Sequence, residues 1–295
     1  MGLVIDDVLV RDDPVGDPVP VVFDSPHSGV NYPRDFDFIC PLAALRQAED
    51  TYVEELFAAA PEFGATLLYA LFPRSYIDVN RAADDIIPAL LDEPWPGILR
   101  PSDKSAAGIG LIRSQIRPGQ PVYDGRLSVA EVAERIDRYY RPYHFQTAEV
   151  LDGLADRFGQ AWLVDCHSMP SAGLPSAPPS SSRRRGWGVD FVIGDRDGTT
   201  CERGFVDFIA QRLRAMGYST TLNKPYKGVE MVRRYGDPAR GRHAVQLEIN
   251  RSLYMNEETL EKTADFDDLR SAMTALAADI CSYAAAATAR GQAAE

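Results

Sequence analysis

The chain has 295 residues, 45% of them hydrophobic and 25% charged, which excludes a fibrous or disordered class. Its formal net charge of -12 argues against a nucleic-acid partner, because a phosphate backbone needs a basic face. No apolar run approaches the roughly 20 residues of a membrane span, and Asp6, Asp7, Asp12 and Asp13 stand where a signal peptide is basic, so a cytoplasmic protein with no membrane contact is expected.

In chain order, residues 19–23 read as a buried strand that opens into the loop Asp24-Ser25-Pro26-His27-Ser28-Gly29. A helix is expected over 42–59, then strands over 65–70 and 75–79, the second running into Asn80 and Arg81. Residues 88–123 form a long loop rich in proline and glycine that, from residue 94 on, carries Arg100, Lys104, Arg113 and Arg117 against a single acid, Asp103. Ser128 followed by Glu131 has the form of a capping box and starts a helix over 129–157. Pro142 should kink or break that helix, since proline lacks an amide proton; His144 lies just beyond it and Gly159 is the stop. A strand over 161–165 leads into Cys166-His167-Ser168-Met169-Pro170, and a serine-rich loop, 170–188, ends in Arg183-Arg184-Arg185. Strands over 189–193, 218–222 and 244–249 and helices over 201–215 and 257–287 complete the pattern. The alternation favours an α/β sheet covered on both faces, with the two long loops as walls over a site. Cys40, Cys166, Cys201 and Cys281 lie far apart and are expected to be reduced, buried small hydrophobes.

Only four histidines occur, and two of them, His27 and His167, sit where an apolar strand opens into a loop. Active sites of open α/β sheets are built there. With a carboxylate, the pair forms a zinc site that leaves one position free for water. Asp50 fits as that carboxylate because Ala48-Glu49-Asp50 precedes the amphipathic stretch Val53, Leu56, Phe57; Glu49 is its rival. Asp165 and His167 share a strand face about 7 Å apart, at ~3.3 Å rise per residue, so Asp165 is placed to orient the ring. Cys166 points to the opposite face and is no partner for His167. Arg81 offers a two-pronged grip on a carboxylate, or a salt bridge to Asp84 or Asp85. In His243-Ala244-Val245-Gln246-Leu247-Glu248-Ile249-Asn250-Arg251, Gln246, Glu248 and Asn250 share one side, and Glu248 is a general base if that side faces a cleft. Arg81 or Arg113 is placed to steady negative charge in the reaction.

Taken in order, Ser25-Pro26-His27-Ser28-Gly29, Asp50, Ile77-Asp78-Val79-Asn80-Arg81, Asp165-Cys166-His167-Ser168-Met169-Pro170 and Gln246-Leu247-Glu248-Ile249-Asn250-Arg251 resemble the N-formylglutamate amidohydrolase family. The resemblance implies a single domain over 1–295, an α/β three-layer sandwich with a mixed central sheet like that of zinc carboxypeptidases. It implies hydrolysis of N-formyl-L-glutamate, a small anionic N-acyl amino acid, to formate and glutamate in histidine breakdown. By motif, His27, Asp50 and His167 are then ligands of Zn2+ and Glu248 the catalytic carboxylate; by analogy to carboxypeptidases, Asn80 and Arg81 recognise carboxylate. The chain departs from the pattern at Lys227-Gly228-Val229-Glu230-Met231-Val232-Arg233-Arg234-Tyr235-Gly236, where many members carry Gly-Gly followed by threonine and histidine. Val229 in place of glycine restricts the backbone, so the acyl group or amino acid accepted is the least constrained part of this reading.

Overall fold

The computed structural model describes residues 2–172, 174 and 188–292 of the chain. Its strands are β1 (Leu3–Ile5), β2 (Leu9–Asp12), β3 (Val21–Ser25), β4 (Thr66–Ala70), β5 (Gln115–Arg117), β6 (Gln120–Pro121), β7 (Ala161–Met169), β8 (Phe191–Gly194), β9 (Thr220–Leu222) and β10 (Arg242–Asn250). Eight of them form one sheet in the order β1-β2-β4-β3-β7-β10-β8-β9, while β5 and β6 pair separately. The four central strands β4, β3, β7 and β10 are parallel. The pairs β1–β2, β2–β4 and β10–β8 are antiparallel, so the sheet is mixed.

Period-two alternation sorts the side chains into two cores. On one face, Val21, Phe23, Trp162, Val164, Cys166, Val245 and Leu247 pack in one cluster with residues of three helices: α2 (Val53–Leu56), preceded by α1 (Leu42–Arg46), then α6 (Arg203–Ala215) and α8 (Phe266–Gln292). On the other face, Val22, Leu163 and Ala244 meet Leu151 of α5 (Arg141–Phe158) and Val232 of α7 (Glu230–Tyr235). The remaining helices are α3 (Asp103–Ala106) and α4 (Val129–Arg135). Helices on both faces of a mixed sheet make the expected three-layer α/β sandwich.

Several elements differ from their sequence signal. Residues 75–79 are not a strand: they form a turn in which Asp78 N donates to Leu111 O at 2.8 Å and Arg81 N to Asp78 O at 3.1 Å. Their alternating apolar residues Tyr76, Ile77 and Val79 are buried in a core beside the sheet rather than paired within it. The helix expected over 42–59 is two short pieces, because Asp50 N donates to His27 O at 3.0 Å and Tyr52 takes a left-handed conformation (φ 69). Pro142 does not break its helix. A π-helical turn over Ile136–Tyr140 precedes it, and α4, the π turn and α5 run on without interruption to Gly159, which caps them with φ 73. Ser128 forms half of a capping box, accepting from Glu131 N at 3.1 Å. The C-terminal helix starts at Phe266, and its stretch Phe266–Ala289, with mean hydropathy 1.2, is long and apolar enough to span a bilayer, contrary to expectation. Its Leu269, Met273, Leu276, Ala277, Ile280 and Ala284 recur at helical spacing in the core against the sheet, the pattern of a core helix rich in alanine. All four cysteines are buried and unpaired.

Candidate active site

The topology locates the site before any side chain is considered. From β3 the chain moves to β4 on one side, then crosses back to β7 on the other, so the order in which strands are added reverses between the parallel neighbours β3 and β7. A crevice opens at the carboxyl ends of parallel strands at such a point. His27 follows the end of β3 by two residues, and His167 lies near the end of β7.

The two rings converge there with Asp50. His27 Nδ1 is 3.1 Å from His167 Nδ1 and 3.3 Å from Asp50 Oδ2, and His167 Nδ1 is 2.9 Å from the same oxygen. The three ligand atoms lie within 4.8 Å of one another, and all three residues are buried. Asp50 rather than Glu49 is the acid that meets the rings. The Glu49 carboxylate is held by the Tyr32 hydroxyl and by Arg46 Nε at 3.4 Å.

Behind each ring stands a further carboxylate. Asp78 Oδ1 lies 2.7 Å from His27 Nε2, and Asp165 Oδ1 lies 2.7 Å from His167 Nε2. With both Nε2 atoms donating outward, two Nδ1 lone pairs and one carboxylate oxygen point at a common centre. That donor set, two imidazoles and a carboxylate with carboxylates behind the rings, fits a divalent metal ion such as zinc. Arg251 fixes the other Asp50 oxygen, Oδ1, from Nη2 at 2.9 Å, and also donates to Ser168 Oγ at 2.9 Å and to the carbonyls of Gln47 and Glu49. Burial is the largest influence on Asp50 and would raise its pKa, yet the close approach of His167 and His27 and the charge of Arg74 hold it well below the usual range. Asp78 is likewise held low against its burial, first by Arg74 and then by His27. Arg74 donates to Asp78 Oδ2 at 2.8 Å.

Glu248 stands next to His167 by register, since the parallel pairing of β10 with β7 sets Glu248 opposite His167 and Gln246 opposite Asp165. Gln246 Nε2 donates to Glu248 Oε1 at 2.7 Å. Burial pushes the Glu248 carboxyl up to about 7, the effect of Asp50 adding to it while His167 opposes it. The expected cleft is present: a cavity of about 760 Å3 is lined by His27, His167, Glu248, Arg81, Arg113 and Asn80, among others.

The remaining expected residues differ in how free they are. Asn80 is engaged at both ends of its amide: Nδ2 donates to Asp165 Oδ2 at 3.3 Å and lies 3.0 Å from His167 Nε2, while Oδ1 accepts from Met231 N at 2.8 Å. Arg81 donates from Nε to Ile109 O and from Nη1 to Asn80 O, and it pairs with neither Asp84 nor Asp85. Arg113 has no hydrogen bond or ion pair among the described residues. Burial, reinforced by Arg74, pulls its guanidinium down to about 10, the signature of a cation lacking its counter-charge. Arg100 pairs with Asp84 at 2.5 Å and does not line the cavity, whereas Lys104 and Arg117 do. Cys166 lies in the opposite core with its thiol pushed well up by burial, so it has no nucleophilic role. His243 stacks on Trp162 and accepts from Glu202 N, a packing role. Arg183, Arg184 and Arg185 lie outside the described residues. Sequence reasoning assigned no role to Asp78, Arg74 or Arg251; Asp78 and Arg251 lay inside the quoted motifs, but their partners are far off in the chain.

A family model of N-formylglutamate amidohydrolase matches residues 19–255. This chain belongs to the N-formylglutamate amidohydrolase family. Members are enzymes that hydrolyse a linear amide. The chain is 31% identical over 247 residues to N-formylglutamate deformylase of Pseudomonas putida, covering 81% of this chain and 83% of that protein. With the deformylase of Pseudomonas aeruginosa it shares 32% over 250 residues, covering 81% and 84%. Its fold superposes on the N-formylglutamate amidohydrolase of Ralstonia eutropha JMP134 with a TM-score of 0.88 at 44% identity, covering 95% of this chain and 99% of that one. The gene product Atu2144 of Agrobacterium tumefaciens shares the fold, with a TM-score of 0.64 at 17% identity.

Proposed function

We propose that this N-formylglutamate amidohydrolase family member hydrolyses N-formyl-L-glutamate to formate and L-glutamate, using a zinc ion held by His27, Asp50 and His167. The observation that carries the reading is the meeting of two Nδ1 atoms and Asp50 Oδ2 beside Glu248, in a cavity with an unpaired arginine. When bound, a divalent ion there polarises the amide carbonyl and makes water acidic at neutral pH. The chain's own groups do the rest. Glu248, with its pKa near 7, takes the proton from the attacking water and passes it to the departing nitrogen. Arg113 takes a carboxylate of the substrate, replacing a missing counter-charge with a charge-assisted pair. Arg81, with two donors already on backbone carbonyls, holds its charge beside the reacting carbonyl and steadies the developing oxyanion. Asn80 acts on His167 and Asp165 rather than on substrate, because both ends of its amide are occupied.

A second reading, hydrolysis of another N-acyl amino acid at the same site, draws on the segment where the chain departs from the family pattern. Lys227, Gly228 and Val229 line the cavity, so the change lies within reach of substrate. Relative kcat/KM over a panel of N-formyl, N-acetyl and N-succinyl amino acids tests both. Preference for N-formyl-L-glutamate supports the first; preference for another acyl group or amino acid supports the second, and inactivity on every member rejects both.

A further inference from the structure

The π-helical turn Ile136–Tyr140 is the one irregular element of the long helix that lies over the site loop. Such turns are rare and cost hydrogen-bond geometry, so a specific gain is expected from one. Its geometry identifies the gain. In a regular α-helix, residues five apart lie about 140° apart around the axis. In a π turn, with its i to i+5 bonding, five residues complete little more than one turn. Arg135 and Tyr140 are five apart, and both reach the same backbone turn: Arg135 Nη1 donates to Tyr76 O at 3.1 Å and the Tyr140 hydroxyl to Arg81 O at 3.0 Å. His144, one turn further, places Nε2 2.9 Å from Val79 O. A carbonyl only accepts, so Nε2 carries the proton, and Nδ1, 2.8 Å from the Tyr235 hydroxyl, is left as an acceptor. Burial, aided by Arg234, lowers His144 to about 3, so the ring stays neutral. All three helix residues are buried, at 1%, 3% and 3% exposure, and none lines the cavity.

Three carbonyls of residues 76–81 are therefore held by side chains of one helix. That turn carries Asp78, which meets His27 Nε2, and Asn80, which meets Asp165 and His167. We propose that Arg135, Tyr140 and His144, aligned by the π turn, are positioning residues that set both histidine rings through the 76–81 backbone. The proposal rests on the reading of His27, Asp50 and His167 as a metal centre. It also explains why Pro142 leaves the helix intact. Proline cannot donate to the carbonyl four residues back and crowds it, and the widened turn supplies the room.

The test is zinc affinity, measured by competition with a chromophoric chelator, of wild type, His144→Phe, His144→Gln and Tyr140→Phe, with folding checked by circular dichroism. His144→Phe keeps a ring but loses the donor, and should weaken zinc binding about tenfold or more, the scale seen when groups behind a ligand are removed. His144→Gln restores a donor and should recover most of that loss, while Tyr140→Phe should weaken binding in the same direction. A purely structural role lowers the melting temperature alone. Folded variants that bind zinc as wild type does, or equal weakening in both His144 variants, overturn the proposal. Should His144→Phe not fold, Tyr140→Phe carries the same test. No zinc binding by wild type overturns the metal reading and this inference with it, whereas unchanged variants against a binding wild type overturn this inference alone.

Discussion

Replacing Glu248 by glutamine should move activity and stability in opposite directions. The side chain is buried, and glutamine keeps an oxygen to accept from Gln246 Nε2, so the local packing survives. What is lost is the proton acceptor, and general-base removal typically costs about a hundredfold to ten-thousandfold in rate. The folded-state pKa is raised from 4.5 to about 7. A raised acid contributes stability that is complete below pH 4.5 and is lost as pH rises through 7, a span that corresponds to about 3 kcal/mol. Glutamine carries no charge at any pH, so the variant's advantage over wild type should grow by about 2 kcal/mol between pH 5.5 and 8.5. For a chain of this length that is about 3 °C in melting temperature. Formate release at saturating zinc measures the first effect, and thermal melts in the presence of chelator measure the second. Turnover within a few-fold of wild type refutes the base assignment, and a variant less stable than wild type at pH 8.5 refutes the electrostatic argument.

Three further outcomes follow from the geometry. Arg113→Met should raise KM for N-formyl-L-glutamate about tenfold to a hundredfold with kcat changed far less, because a charge-assisted pair to substrate carboxylate is worth about 1.5–3 kcal/mol; an unchanged KM in steady-state kinetics places the anchor elsewhere. Asp78→Asn should weaken zinc binding about tenfold to a hundredfold, since His27 Nε2 loses its carboxylate, and chelator competition reads it directly. Glu54, whose buried Oε2 has no partner and whose carboxyl burial raises to about 7, lies outside the cavity. Glu54→Gln should therefore raise the melting temperature at pH 8.5 but little at pH 4.5, with kcat/KM unchanged; equal gains at both pH values contradict the assignment.

Much of the site was legible because strand ends carry distinctive punctuation. His27 before Ser28-Gly29 and His167 before Met169-Pro170 each follow an apolar run, and the fold brings these two ends together across the sheet. Glu248 was legible by alternation alone, but its face became decidable only when β10 was seen to pair with β7. The choice between Asp50 and Glu49 was not legible, because it depends on a bend created by a backbone hydrogen bond to His27 and on Tyr32 claiming Glu49. The roles of Asp78 and Arg251 are not legible for a related reason: the partners His27 and Asp50 lie 51 and 201 positions away, and no local pattern encodes such pairings. Residues 75–79 mimicked a strand because burial against a neighbouring core imposes the same apolar preference as pairing in a sheet. The edge strand β1 and its neighbour β2 are short and partly exposed, which removes the apolar contrast on which strand recognition depends.

In the proposed mechanism His27, Asp50 and His167 hold one divalent ion on which hydrolysis depends. Metal analysis of the purified protein, coupled to formate release before chelation, after chelation and after readdition of zinc, tests it most directly. One equivalent of metal per chain, activity abolished by chelation and restored by zinc, and both metal and activity lost in His167→Ala, is the predicted result. Full activity in chelated protein containing no metal would contradict it.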